Sequence, residues 1–252
     1  MDTQKLIDEA CPTISDAGWS YYFVPATAAR GERLGLDLFQ FYFLGRGGVL
    51  GDVDATVVQS AFGYFNPGLL TAMWDAARAK VAPREAAREY FAAAHDHGRE
   101  RLTGTDGLDG FLAAAAKVVA AGRANVAGLT LFAGAAAEPV PDDAPAAAMH
   151  QVAVLRELRG SAHLLANVAE GVDPKVAHFA RRPEMFEAFG WSKDDAPEVT
   201  DADRAAMAAA EALTDRLVTA AYGVLDDDEA MALLHGLSVL GPRLASGPIP
   251  GV

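Results

Sequence analysis

Val152-Ala153-Val154-Leu155-Arg156-Glu157-Leu158-Arg159-Gly160-Ser161-Ala162-His163-Leu164-Leu165 is the stretch on which the reading of this 252-residue chain turns. Val152, Leu155, Leu158, Ala162 and Leu165 recur every three or four positions, the spacing of one buried stripe on an α-helix. A helix over 146–168 is therefore predicted. A second stripe lies beside the apolar one. Arg156, Arg159, Gly160 and His163 stand at i, i+3, i+4 and i+7, so two guanidiniums and an imidazole share a face around a residue without a side chain.

Working outward, alanine alternates with charged residues at helical spacing over 83–102, 108–121 and 201–225, and each stretch reads as a helix. Thr200 ahead of Asp201 and Asp203 is an N-cap with acids in the first turn, where the helix dipole favours them. Pro67 after Asn66 and Pro83 after Ala82 suit a first helical turn. Strand signals are limited to Tyr21-Tyr22-Phe23-Val24 and Leu129-Thr130-Leu131-Phe132, neither followed by a hairpin turn. The fold class expected is all-α. Three prolines in Glu138-Pro139-Val140-Pro141-Asp142-Asp143-Ala144-Pro145 forbid a continuing helix and mark a linker, dividing the chain into helical domains at 1–137 and 146–252. Lys193 to Glu198 is a second break, and Ser246 to Val252 reads as a loose tail.

Composition narrows the partners. Net charge is −13, with 19 acids against 9 bases after Ala137 and 15 against 12 before it. An acidic body repels phosphate backbones, so non-specific binding to nucleic acid or to an anionic membrane is disfavoured. The single cysteine, Cys11, rules out an internal disulfide framework and suits a reducing compartment. Met1-Asp2-Thr3-Gln4-Lys5 lacks the basic-then-apolar layout of a secretory signal, and no long uncharged apolar run occurs. A cytoplasmic location is expected.

Two polar constellations stand out. The Arg156, Arg159 and His163 face suits a carboxylate or phosphate, with Gly160 admitting a ligand or a neighbouring helix. The competing reading pairs both arginines with structural acids and makes Gly160 a tight helix crossing. In Leu36-Asp37-Leu38-Phe39-Gln40-Phe41-Tyr42-Phe43-Leu44, apolar almost all round, Tyr42 and Arg46 form an i,i+4 polar pair that can close over a ligand where the halves meet. Alternatively that pair is a helix C-terminal contact capped by glycines. Gly45, Gly47 and Gly48 do not make a nucleotide loop, because Leu50 stands where a third glycine belongs and the preceding segment is helical. No metal site is expected: His95 and His97 diverge on a helix, and His150 and His163 are too far apart along one.

As a set, Tyr42-Phe43-Leu44-Gly45-Arg46, Val49-Leu50-Gly51, Phe62, Phe65-Asn66-Pro67, Leu155-Arg156-Glu157-Leu158-Arg159-Gly160 with His163, Gly190-Trp191 and Thr214-Asp215 resemble an actinobacterial family of divergent helix-turn-helix proteins related to MarR-type winged helices. The resemblance implies a helix-turn-helix over Ala162 to Ala180, with Gly171 at the turn and Asp173-Pro174 starting the recognition-like helix. Lys175, His178, Arg181 and Arg182 on that helix are surrounded by Glu170, Asp173, Glu184 and Glu187, and the eight residues between Trp191 and Thr200 leave no room for a β-wing. The scaffold expected is a degenerate winged helix.

The leading expectation is a ligand-binding or regulatory protein that holds an anionic small molecule or cofactor between its halves, with Tyr42, Arg46, Arg156, Arg159 and His163 as the ligand-binding residues. The ligand stays unnamed at this point, and a homodimer stays open. One alternative is an enzyme with His163 as general acid or base and Arg156 and Arg159 orienting an anionic substrate. A transcription regulator is the third.

Overall fold

The computed structural model describes residues 1–245, so the Ser246 to Val252 tail lies outside the described residues. Within them the chain forms twelve α-helices and a few single 3₁₀ turns, with no strand. The helices are α1 (Thr3–Ala17), α2 (Pro25–Arg33), α3 (Leu38–Gly47), α4 (Ala55–Phe62), α5 (Pro67–Arg78), α6 (Pro83–Leu102), α7 (Leu108–Arg123), α8 (Thr130–Ala135), α9 (Ala144–Ala169), α10 (Pro174–Arg181), α11 (Asp201–Tyr222) and α12 (Asp227–Leu240). The all-α expectation holds.

Local chemistry sets the boundaries. Asn66 caps α5 and Thr200 caps α11, the latter in a reciprocal box with Asp203. Asp37 and Gln40 form the same box at α3, and prolines occupy the first turns of α2, α5, α6, α9 and α10. Both strand signals resolve otherwise. Tyr21 to Val24 is the turn joining α1 to α2, where Pro25 starts a new helix, and Thr130 to Phe132 lie in α8. Neither has a strand to pair with, and an unpaired strand leaves its backbone groups unsatisfied.

Helix α9 is the centre of the molecule. It packs against α1, α6, α7, α8 and α11, and every residue from Ala146 to Leu155 is buried. The single apolar stripe expected there is thus a fully enclosed helix over its first half. Towards its C-terminus α9 emerges, and Leu165, the last member of the stripe, is 37 % exposed. One apolar cluster runs from Leu6 to Leu244 and draws on helices from both sides of 138–145, a segment whose own Glu138 is buried against Arg84 of α6. A small second cluster, Ala166, Val172, Ala177 and Ala210, seats α10.

The glycines at the C-terminal end of α3 serve packing. A Cβ on Gly45 would meet the Tyr90 ring at 2.7 Å, and one on Gly48 would sit 2.0 Å from the Pro83 carbonyl oxygen, so α3 and α6 approach only because both are glycine. Gly48→Ala is expected to lower stability by about 3 kcal/mol, since backbone rather than a flexible side chain must move. A wild-type midpoint in urea unfolding would refute that account.

Candidate functional site

A cleft is lined by the end of α1 with its following turn, α3, the end of α4 with its following turn, Leu131 of α8, the emerging half of α9, and α10 with the turns after it. Their tie is a buried ionic knot. Glu157 of α9 is 6 % exposed and accepts a bidentate fork from Arg46, Nε to Oε1 at 2.8 Å and Nη2 to Oε2 at 2.8 Å. Arg46 also donates through Nη1 to the Tyr42 hydroxyl at 2.9 Å and lies over the Phe62 ring. The Tyr22 hydroxyl donates to Glu157 at 3.2 Å and accepts from Arg156 Nη1 at 3.0 Å. Burial alone would raise the Glu157 carboxyl, but the Arg46 charge and its hydrogen bonds outweigh it and hold the carboxyl below its usual range. The same attraction, working against desolvation, holds Arg46 well above its usual value. The knot therefore contains two guanidiniums for one carboxylate.

Two adjoining lobes with shared walls open beside the knot, about 260 Å³ and about 210 Å³ in volume. Tyr42, Arg46, Arg156, Arg159 and His163 all line the smaller lobe, together with Gly160. Tyr42, Arg156 and His163 also line the larger one, so they stand at the divide. No helix packs on Gly160, since a Cβ there would meet nothing within 4 Å. The close helix crossing entertained for it is absent.

Individual roles differ along the face. Arg159 is held by two acids of α11, Glu211 at 2.8 Å and Asp215 at 3.3 Å, and Glu211 also pairs with Arg181. His163 Nδ1 is 3.0 Å from the Thr214 hydroxyl, and its ring stacks on Tyr64 with 22° between planes. Burial, then the charges of Arg181 and Arg159, push the His163 pKa down to about 4, so the ring is neutral at pH 7. Burial likewise raises the Tyr64 phenol to about 12, against the Asn167 side chain that donates to it at 2.7 Å.

The larger lobe is aromatic, and that character was not read from the sequence. Trp19, Phe23 and Phe39 line it opposite Met185 and Phe189. Phe189 lies flat on Phe65 at 4.0 Å between ring centroids, and His178 of α10 stacks on Phe189 at 3.8 Å. Two backbone-level ties hold this wall: the Asn66 amide donates to the Phe189 carbonyl at 2.9 Å, and the Trp191 indole donates to the Tyr64 carbonyl at 3.1 Å. These contacts join positions more than a hundred residues apart. Gly190-Trp191 and Phe65-Asn66-Pro67, both part of the recognised motif set, were the available signal.

The helix-turn-helix unit is itself a wall of the cleft. Helix α9 ends at Ala169, Gly171 turns the chain at φ +70°, and Asp173 caps α10, which supplies Ala177, His178 and Arg181 to the larger lobe. After α10 come only 3₁₀ turns at Pro183–Met185 and Lys193–Asp195 before α11, so no β-wing follows. The basic side chains of this helix fold back on the protein. Lys175 lies over Trp191 and Phe186, Arg182 over Trp19, and Arg181 pairs with Glu211.

Elsewhere, His95 Nε2 and His150 Nδ1 meet at 3.1 Å between α6 and α9, a cross-helix pair that spacing along one helix did not reveal. Among the described residues no group of three or more His, Cys, Asp or Glu is placed to hold a metal ion, and no helix is long and apolar enough to cross a membrane.

Comparison with curated proteins and with solved structures gives no match. A family model described as a helix-turn-helix family matches residues 9–249, nearly the whole chain. The α9–Gly171–α10 unit and the all-helical body agree with that match, and the chain belongs to this helix-turn-helix family.

Proposed function

We propose that the chain is a small-ligand-binding regulatory protein in which an anionic molecule or cofactor occupies the two-lobed cleft. One observation carries the reading: the recognition-like helix of the helix-turn-helix unit contributes His178 and Arg181 to the same cavity that Tyr42, Arg156 and His163 line from α3 and α9. A ligand there would bear directly on the position of α10. The surplus guanidinium of the ionic knot supplies the attraction for an anion, and family membership supports a regulatory role. The kinship with actinobacterial, MarR-related winged helices belongs to this proposal, with the wing lost. So does a cytoplasmic location, in keeping with the free, buried thiol of Cys11.

Family membership also favours a second reading, a DNA-binding regulator. Against it stand the net charge of −13 and the engagement of Lys175, Arg181 and Arg182 within the protein. The enzymatic alternative gains little from His163, because a base with a pKa near 4 is weak at neutral pH.

Native mass spectrometry of protein purified without added ligand separates these readings when combined with duplex-DNA titration at low salt. A discrete mass excess that denaturation releases, with no DNA binding, is the expected outcome. Steeply salt-dependent DNA binding by ligand-free protein, with no co-purifying molecule, would overturn the reading in favour of the second.

A further inference from the structure

We infer that the occupant of the cleft is a planar aromatic anion, its ring in the larger lobe, its negative charge at Arg156 and a hydroxyl substituent at Nε2 of His178. This rests on the anionic-ligand reading above and narrows it to a chemical class.

The shape of the occupant follows from the walls. The larger lobe is lined by Trp19, Phe23 and Phe39 and by the edge of Phe189, whose two faces are taken by Phe65 and His178, and aromatic rings meet other flat rings in offset or edge-on geometry. At about 260 Å³ it exceeds the roughly 150 Å³ apolar cavity that accommodates benzene, which leaves room for a ring system larger than one six-membered ring.

The charge follows from Arg156. Arg156 lines both lobes, while the carboxylate beside it, Glu157, is already taken by the bidentate fork from Arg46 and stands 3.4 Å from the Arg156 guanidinium. An anion reaching the divide between the lobes completes the charge balance of the knot.

The substituent follows from His178. The residue is 7 % exposed, it lines the larger lobe, and its Nε2 is buried without a hydrogen-bond partner. Burying such a nitrogen unpaired costs free energy that a ligand group recovers. Desolvation depresses its pKa to about 4, so the ring is neutral. Nε2 of a neutral imidazole donates or accepts according to the tautomer, and a hydroxyl group on the ligand serves either role.

Calorimetric titration at pH 7.5 with 2-naphthoate, its 6-hydroxy and 7-hydroxy derivatives, 2-naphthol and octanoate tests each element. The naphthoates are expected to bind at least about tenfold more tightly than octanoate and than neutral 2-naphthol, with one hydroxy isomer tighter than 2-naphthoate. Arg156→Gln is expected to abolish the preference for acid over 2-naphthol, and His178→Leu the preference for the hydroxy isomer. Octanoate binding as tightly as the naphthoates would overturn the aromatic class while leaving the anionic reading intact. Equal binding of 2-naphthol and the acids would overturn both. No heat from any probe at about 1 mM would overturn this inference, whereas the broader reading stands or falls on the co-purifying mass. The wild-type comparisons decide the class even where a variant fails to fold.

Discussion

Glu157→Ala is expected to lower the stability of the protein by about 3–5 kcal/mol, the usual cost of removing one partner of a buried ion pair. The cost comes from what stays behind. Arg46 is 14 % exposed in its side chain and would retain only the Tyr42 hydroxyl and the Phe62 ring, with Arg156 as a second uncompensated cation nearby. Glu157→Gln keeps the shape and one acceptor oxygen but removes the charge, so an intermediate loss is expected. The double variant Arg46→Met/Glu157→Leu removes both charges and fills the space with apolar atoms; it should recover most of the loss, because paired burial of charge contributes little net stability. Urea unfolding at pH 7.5 reads all three. A Glu157→Ala midpoint within error of wild type would mean that the knot is solvated, and the cleft would lose the charged anchor on which its selectivity for anions depends.

The location of this knot explains which features were legible beforehand. Helices announced themselves through local chemistry: Thr200 with Asp203, Asn66 with Pro67, and the all-round apolar run that became α3. The face made by Arg156, Arg159 and His163 was legible from spacing, and these side chains do line one cavity with Tyr42 and Arg46. Glu157 was not singled out, because a search at i+3, i+4 and i+7 from Arg156 passes over the adjacent position. Its partner lies 111 residues away, and pairing over that distance leaves no periodicity in a sequence. The aromatic lobe was invisible for the same reason. Trp19, Phe39, Phe65 and Phe189 are ordinary core aromatics by pattern and share a wall only once α9 and α10 have folded. At Gly160 spacing alone left a ligand and a neighbouring helix as alternatives, and the open space above it removes only the helix crossing.

A second large effect concerns acid. Burial pushes His163 and His178 down to about 4, His95 to about 4 and His150 to about 3, the last two while their ring nitrogens share one hydrogen bond. In the unfolded chain each would titrate near about 6.5. Between those values the unfolded state binds protons that the folded state does not. The stability contributed by these histidines is therefore complete above about pH 6.5 and is lost as pH falls towards 4. With close to four protons separating the two states near pH 5, the slope approaches about 5 kcal/mol per pH unit, and the loss from pH 6.5 to 5 is on the order of 5 kcal/mol, comparable to the whole stability of many domains. Stability is expected to fall steeply between pH 6.5 and 5, the pair packed between α6 and α9 supplying about half of the uptake because two of the four rings belong to it. Replacing both members with His95→Gln/His150→Leu should halve the slope even where it lowers stability at pH 7.5. A stability curve flat between pH 6.5 and 5 would show that these rings are already charged in the folded state; the neutral His178 and the neutral His163 at the lobe divide would then both be wrong.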